Sequence, residues 1–233
     1  MTQLWFSRIM LRKDSQVQAI ASLLLPKDRK REILAARHEL IWSLFSDGPD
    51  RNRDFLWREE KHGLFYTLSA RKPQSDLFTI ESKPFEPSLK IDDKLAFSLR
   101  ANPVVTRKSK GKKRGQRHDI VMDRLKSLRP HNPEKGDLGE RCFARNDLIK
   151  EAGHDWIKHQ SEKHGFEVNT VQVDGYHQHI LQRRNKNSSG NISTLDFEGT
   201  LTITDPKTFL EKLTAGFGSA KAFGCGLMLI RRL

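Results

Sequence analysis

The sequence is poor in cysteine, in acidic residues and in long apolar runs, and each shortage excludes a class of protein. Its two cysteines, Cys142 and Cys225, form no CxxC pair, which argues against a disulfide framework or a thiolate zinc site. No run of about eighteen apolar residues is present, which excludes a membrane-spanning helix. The first residues, MTQLWFSRIM, lack the apolar stretch and cleavage site of a secretory signal. We therefore expect a soluble, cytoplasmic protein.

Acidic residues are scarce relative to basic ones, which points to a polyanionic partner. The chain has 29 Asp and Glu against 42 Lys and Arg, for a formal net charge of +13. Nine of the basic residues lie between Lys94 and His118, in 25 residues without an acid. The densest part, TRKSKGKKRGQR, has no large apolar side chain, which predicts a mobile loop that contacts phosphates; a solubilising loop is the alternative. The candidate contacts are Arg107, Lys108, Lys110, Lys112, Lys113, Arg114 and Arg117.

Two shorter motifs add candidates for phosphate binding. The segment QRRNKNSSGN has a polar turn that predicts a hairpin tip, and it carries Arg183, Arg184 and Lys186. Near the C-terminus, GFGSAKAFGCG sets a lysine among glycines, which let backbone N–H groups approach a phosphate closely. A tight helix-to-strand connection is the alternative for this motif. Its candidate contacts are Lys221, Gly224 and Gly226.

Hydrophobic periodicity predicts the same order of elements, βαββαβ, in both halves of the chain. This order predicts an α+β protein of two tandem ferredoxin-like (RRM-like) domains, residues 1–88 and 89–233. The predicted strands are 3–9, 55–58, 64–69, 76–82, 94–100, 168–173, 176–184, 192–203 and the terminal LMLI. The predicted helices are REILAARHELIWSLFSD, a short one near 73–76, 119–128, one from Asn146 or Asp147 to His164, and one that begins at Asp205-Pro206. Residues 130–140 are predicted to form a loop.

Four stretches, in this order, carry a resemblance to a known family. They are RHELIWSLFSD followed by RDFLWR, the strand FSLRANPV, the strand FEGTLTITDP, and GFGSAKAFGCGLMLI. Over nearly its whole length the chain resembles the CasE family, the CRISPR RNA-processing endoribonucleases of the subtype I-E Cascade complex, within the RAMP superfamily of paired ferredoxin-like domains. The segment 129–141 is longer than the family leads us to expect.

The resemblance implies a specific activity and specific partners. Members of the family bind a stem-loop in the CRISPR repeat transcript, cleave at its 3′ base without metal, and remain on the mature crRNA with the other Cascade subunits in antiviral defence. Their catalytic histidine lies in the pattern H-x-x-apolar-W-x-L-F, which here falls on His38. Where family members often carry a tyrosine three residues earlier, this chain has Ala35. The Gly-rich motif and the hairpin of residues 176–203 match family elements that contact RNA.

The residues themselves are consistent with this chemistry. RNA cleavage without metal requires a group that accepts the 2′-OH proton or protonates the leaving 5′ oxygen, and a histidine titrates near neutrality. On a helical wheel His38 lies at or beside the apolar stripe, so a structural, hydrogen-bonded histidine is the alternative. His154, His159 and His164 are about 140° apart on a helix, unlike the ligands of one zinc ion, and carboxylates are scattered.

We therefore expect no metal and no small-molecule cofactor. Two other functions stay open at this point: a non-catalytic RNA-binding module of the same fold, which Ala35 favours, and a metallonuclease.

Overall fold

Each half of the chain forms an antiparallel four-stranded sheet. The computed structural model describes residues 3–24, 33–45, 53–61, 63–108, 111, 115–127, 138–182 and 189–233. The strands are β1 (Trp5–Leu11), β2 (Phe55–Lys61), β3 (Leu64–Ser69), β4 (Phe78–Pro84), β5 (Lys94–Ala101), β6 (Val104–Arg107), β7 (Gln116–Asp119), β8 (Phe166–Gln182), β9 (Ser189–Ile203) and β10 (Met228–Arg232). The helices are α1 (Ser15–Leu24), α2 (Ile33–Ser43), α3 (Ile120–Ser127), α4 (Leu138–Lys163) and α5 (Pro206–Ala215). None of the helices, so far as the structure describes them, is long and apolar enough to cross a membrane.

The order of the strands identifies the fold. The first sheet runs β2-β3-β1-β4 and the second runs β10-β5-β9-β8, while β6 and β7 pair with each other. If the four strands of each sheet are numbered along the chain, both orders read 4-1-3-2 across the sheet, with every neighbouring pair antiparallel. This strand order is ferredoxin-like, so the predicted α+β class with two tandem ferredoxin-like units is confirmed. The second unit has the predicted order βαββαβ, whereas in the first unit the described residues between β3 and β4 form no helix, and the predicted order is wrong there. The sheets are joined by residues 85–93; the domain limits 1–88 and 89–233 stay a prediction.

Each sheet buries its own apolar core, and a third cluster joins the two. In the first unit α2 packs on the sheet, with Ile41 against Ile9 and Phe65, all three without solvent exposure. The core of the second unit is larger and takes residues from β5, β8, β9, α3, α4 and α5. The third cluster brings Leu56 and Leu68 of the first sheet onto Leu227, which follows the Gly-rich loop (residues 216–226). Apolar contact therefore holds this loop against the first sheet.

The structure corrects several boundaries predicted from the sequence. No helix forms near residues 73–76. Helix α4 begins at Leu138, so the predicted loop is wrong for residues 138–140, and Asn146 lies inside the helix, exposed to solvent, rather than at its cap. The two strands predicted at 168–184 are one strand, β8. Gly175 adopts φ +64 at a bulge, after which pairing with β9 resumes. Helix α1 and the β6–β7 hairpin were not predicted.

Candidate active site

His38 lies where helix α2 meets the Gly-rich loop. Its ring is half-buried, and the Phe223 ring lies 5.6 Å from it between centroids. The loop is fixed here by Trp57 of β2, whose Nε1–H donates to the carbonyl of Ala222 at 3.1 Å. Gly224 adopts φ +77, and a Cβ at that position would lie 3.1 Å from the Trp57 ring, so the close approach depends on glycine. The site thus combines a histidine of the first unit with the Gly-rich loop, which follows helix α5 of the second unit.

The imidazole of His38 has a defined partner on its own helix. Trp42, one turn later, donates its Nε1–H to Nε2 of His38 at 2.6 Å. Because Nε2 accepts this bond, the neutral ring carries its proton on Nδ1. Burial lowers the pKa of His38 below its ordinary value, Glu39 partly opposes this, and Arg53 lowers the pKa further. The ring is therefore held mainly neutral near pH 7, with Nδ1 as the nitrogen directed away from Trp42.

Replacing Trp42 by Phe should raise the pKa of His38. Donation to Nε2 stabilises only the neutral ring, so its loss favours the protonated form. The measurement is an NMR pH titration of the His38 ring proton in both proteins. Trp5→Phe is a matched control, because Trp5 lies on β1 with Lys72 over its ring at 3.9 Å and should leave the titration unchanged. An unchanged or lower pKa in Trp42→Phe would mean that the indole does not act on the imidazole.

Two cations lie near the Gly-rich loop, and the charge of one of them, Arg53, acts on His38. Arg53 and Lys221 line a cavity of about 270 Å³ between the start of β2 and the C-terminal end of α5. Lys221 donates to the Ala215 carbonyl at 2.5 Å, and burial, followed by repulsion from Arg53, lowers its pKa. The carboxylate of Asp54 also lines the cavity, but Arg71 binds both of its oxygens at 2.7 and 2.9 Å. Because Arg71 already pairs with the carboxylate of Asp54, the two cations of the cavity remain available, and together with an imidazole they suit the binding of a phosphodiester.

The path of the Gly-rich loop depends on Gly226. This residue adopts φ +94, and a Cβ on it would lie 2.6 Å from the carbonyl oxygen of Phe217. Its N–H donates to the Arg100 carbonyl of β5 at 2.7 Å, and its own carbonyl accepts from Phe217 N–H at 3.0 Å. These bonds fix the loop to the second sheet, while Trp57 fixes it to the first. The loop is both a tight connection from α5 to β10 and the structure that presents Lys221 and Phe223 to His38.

Comparison with known proteins identifies the family. A family model described as CRISPR associated protein matches residues 4–232. The CRISPR system Cascade subunit CasE of Escherichia coli K12 is 34% identical over 207 residues, which cover 84% of this chain and 90% of that protein. This chain belongs to the CasE family. The CRISPR-associated endoribonuclease Cse3 of Thermus thermophilus is 28% identical over 159 residues, or 64% of this chain and 60% of that protein.

A solved structure shares the fold of this CasE-family chain. Thermus thermophilus Cse3 bound to an RNA representing a pre-cleavage complex superposes with a TM-score of 0.66 at 21% identity, over 98% of this chain and 99% of that one. At this identity the likeness concerns the fold. The family resemblance predicted from RHELIWSLFSD and the Gly-rich motif is thus confirmed.

The structure brings together some of the predicted site residues of this CasE-family chain and separates others. His38, Lys221, Gly224 and Gly226 share the site described above. Arg107 lies on β6 and Arg117 on β7, so the prediction that both belong to a loop is wrong. Lys108 is exposed to solvent. The Arg107 side chain is engaged by Asp123 of α3 at 2.6 Å. The remaining candidates lie outside the described residues: Lys110, Lys112, Lys113, Arg114, Arg183, Arg184 and Lys186.

Two residues of the site were missed at the sequence level. Trp42 stands in the family pattern, four residues after His38, but the pattern does not show that its indole bonds to the imidazole. Arg53 begins RDFLWR, directly before β2, and only the packing of the loop shows that it faces Lys221. In the part of the chain that the structure describes, no group of three or more His, Cys, Asp or Glu side chains lies close enough to hold a metal ion.

Proposed function

We propose that this CasE-family protein is an endoribonuclease that cleaves the stem-loop of a CRISPR repeat transcript at its 3′ base, without metal, and stays on the mature crRNA as a Cascade subunit. The class of enzyme follows from the family, since its Thermus thermophilus relative is named an endoribonuclease. The assembly follows by analogy with the Escherichia coli relative, named a Cascade subunit. We place this activity in the cytoplasm, where the transcript is made.

The observation that carries the proposal is His38, half-buried between Trp42 and Phe223 and close enough to Arg53 for its charge to act on the ring. In the proposed reaction the 2′-oxygen bonds to the adjacent phosphorus and the bond from phosphorus to the 5′-oxygen breaks. The 2′-OH loses a proton and the leaving oxygen gains one, giving a 2′,3′-cyclic phosphate and a 5′-OH. In the neutral ring Nδ1 already carries a proton, so His38 takes up the 2′-OH proton at Nε2 once the hydrogen bond from Trp42 opens, and the imidazolium that results gives a proton to the leaving 5′-oxygen.

The cations of the cavity have a separate task in this mechanism. Negative charge grows on the phosphate oxygens as the 2′-oxygen attacks, and fixed cations stabilise that charge most when they are already in place. Arg53 and Lys221 meet this condition, because Lys221 is held by the Ala215 carbonyl and both side chains line the same cavity. The basic segments at residues 107–117 and 183–186 are proposed to hold the RNA stem through its phosphates.

Cleavage should persist in EDTA and stop when the nucleotide before the scissile phosphate lacks its 2′-OH. The 2′-oxygen is the nucleophile, so a single 2′-deoxy substitution in the repeat RNA removes it while the stem remains intact. Products are resolved on a gel and their 3′ ends are tested for the cyclic phosphate. A 2′-deoxy substitution one nucleotide further into the stem is the matched control and should be cleaved normally. Loss of activity in EDTA would instead indicate a metallonuclease, and intact RNA a non-catalytic binding module.

A further inference from the structure

A row of basic side chains leads away from the candidate site along the C-terminal end of α5. It begins with Arg53, whose charge acts on His38, and with Lys221, which lines the same cavity as Arg53. Lys212, in the last turn of α5, follows, and the charge of Lys221 lowers its pKa. The Phe217 ring then connects Lys212, whose Nζ lies 5.4 Å from the ring centroid, to His164 just beyond α4, at 6.4 Å between rings. Because Phe217 is itself buried, these three cations and one imidazole are a series of neighbouring groups and not one unbroken surface; we call them the α5 row.

In the part of the chain that the structure describes, no carboxylate neutralises the charge of the α5 row. Among the described residues, no carboxylate lies within 4.0 Å of Arg53, Lys212 or Lys221, although acids lie nearby in the chain. Asp54 is bound by Arg71, and Glu162 contacts His159. Burial lowers the pKa of Lys212, and repulsion from Lys221 lowers it further, which shows that these like charges are held together at a cost.

The negative end of the α5 dipole explains only part of this arrangement. A helix C-terminus carries about half a unit of negative charge, and Lys221 already bonds to one of its last carbonyls, that of Ala215. A second lysine and an arginine exceed what this end can balance. A phosphodiester chain, which carries several negative charges in a line, would supply the counter-charge that the described residues lack. Phe217, at the centre of the row, is fully buried, so the surface offers phosphate contacts and no exposed ring for stacking a base.

We propose that the α5 row binds the single-stranded RNA that follows the scissile phosphate on its 3′ side. This proposal rests on the proposed function, because it takes the scissile phosphate to lie at His38. The nucleotide after that phosphate is covalently attached at the site and is the first that can reach Arg53 and Lys221. The single-stranded RNA on the 5′ side continues from the other strand of the stem, so it is not attached to the scissile phosphate and is not directed to Arg53 and Lys221. Contacts in the row are to phosphates, so they do not depend on the flanking sequence.

The proposal gives precursor and product different affinities. The precursor carries the 3′ flank and engages both the site and the α5 row. After cleavage the flank is no longer attached to the stem-loop, so it is held by a few phosphate contacts alone and dissociates. The stem-loop product keeps the scissile phosphate, as its cyclic end, and loses only the contacts that the row makes with the phosphates of the flank. The protein can therefore release the 3′ fragment after cleavage and still retain the crRNA.

The test compares three RNAs: the stem-loop ending at the scissile nucleotide, the same with a 3′ single-stranded flank, and the same with a 5′ flank. A 2′-deoxy scissile nucleotide prevents cleavage, and dissociation constants are measured over a range of salt. We expect the 3′ flank to raise affinity and to steepen the salt dependence by about 0.7 log units per decade for each phosphate bound. Lys212→Gln should reduce the flank-dependent increase in salt dependence by about the contribution of one phosphate. Lys212→Arg should leave that increase unchanged.

Lys207→Gln is the matched control, because Lys207 is exposed at the other end of α5 and should leave the increment unchanged. Melting temperatures check that the variants fold. The proposal is wrong if the 3′ flank adds nothing, if only the 5′ flank adds affinity, or if Lys212→Gln weakens the bare stem-loop as much as the flanked one. If the wild type cleaves the repeat RNA but gains nothing from the flank, only this proposal fails. If the flank adds affinity but the unmodified RNA stays intact, the proposed function fails instead.

Discussion

His38→Ala is expected to slow cleavage of the repeat stem-loop by about 100- to 10,000-fold, the usual contribution of one general acid or base. Affinity for the RNA should change little, because a mainly neutral, half-buried imidazole adds little to phosphate binding beside Arg53 and Lys221. Single-turnover rates and dissociation constants for the same RNA separate the two effects. Added imidazole should restore part of the rate, since removing the ring leaves a space between Trp42 and Phe223.

His154→Ala is the matched control for this variant. His154 is an exposed histidine on α4, so its loss removes the same chemical group without touching the site. Cleavage by His154→Ala should equal that of the wild type. If His38→Ala kept full activity, or if it lost RNA binding and cleavage together, His38 would be a structural residue and the proposed mechanism would be wrong.

Gly226→Ala is expected to lower both stability and cleavage. The backbone conformation at φ +94 costs a non-glycine residue about 1–3 kcal/mol, and the new Cβ would lie 2.6 Å from the Phe217 carbonyl oxygen, so the loop must also move. Movement there breaks the hydrogen bonds to Arg100 and Phe217 and shifts Lys221 and Phe223 relative to His38. Chemical denaturation gives the loss in free energy of unfolding, and single-turnover cleavage gives the loss in rate.

Gly111→Ala is the control that separates the cost of the positive φ from the cost of the steric clash with Phe217. Gly111 also has a positive φ, +84, but a Cβ there meets nothing within 4 Å. Its substitution should therefore destabilise the protein less than Gly226→Ala. Equal losses in the two variants would show that the contact with Phe217 is unimportant. Normal cleavage by Gly226→Ala would show that the reaction does not depend on the geometry of the Gly-rich loop.

The elements that the sequence predicted well are those with strong local signals. Helix α5 begins where Asp205-Pro206 predicted, because the Asp205 carboxylate accepts the N–H groups of Lys207 and Thr208 and proline occupies the first turn. Strand β5 alternates as expected, with Leu95 and Leu99 facing the core. In both cases the information lies within a few consecutive residues.

The site depends on contacts that no local pattern contains. Trp57 and Ala222 are 165 residues apart in the chain, and their hydrogen bond sets the loop against His38. Arg53 and Lys221 look like isolated surface cations until the two sheets pack together. The sequence, through the family pattern, predicted which histidine to consider; the partners of its imidazole required the tertiary structure. The same holds for β8, where Asp174-Gly175 has the local character of a turn but pairing with β9 continues beyond it.

The division of the site between the two units has a consequence for the newly made chain. His38 and Trp57 belong to the unit that is synthesised first, whereas Ala222 and Phe223 lie near the C-terminal end. A nascent or half-folded chain therefore has the histidine but neither the loop that covers it nor Lys221. Under the proposed mechanism, such a chain lacks part of the reacting site until the Gly-rich loop has packed against the first sheet.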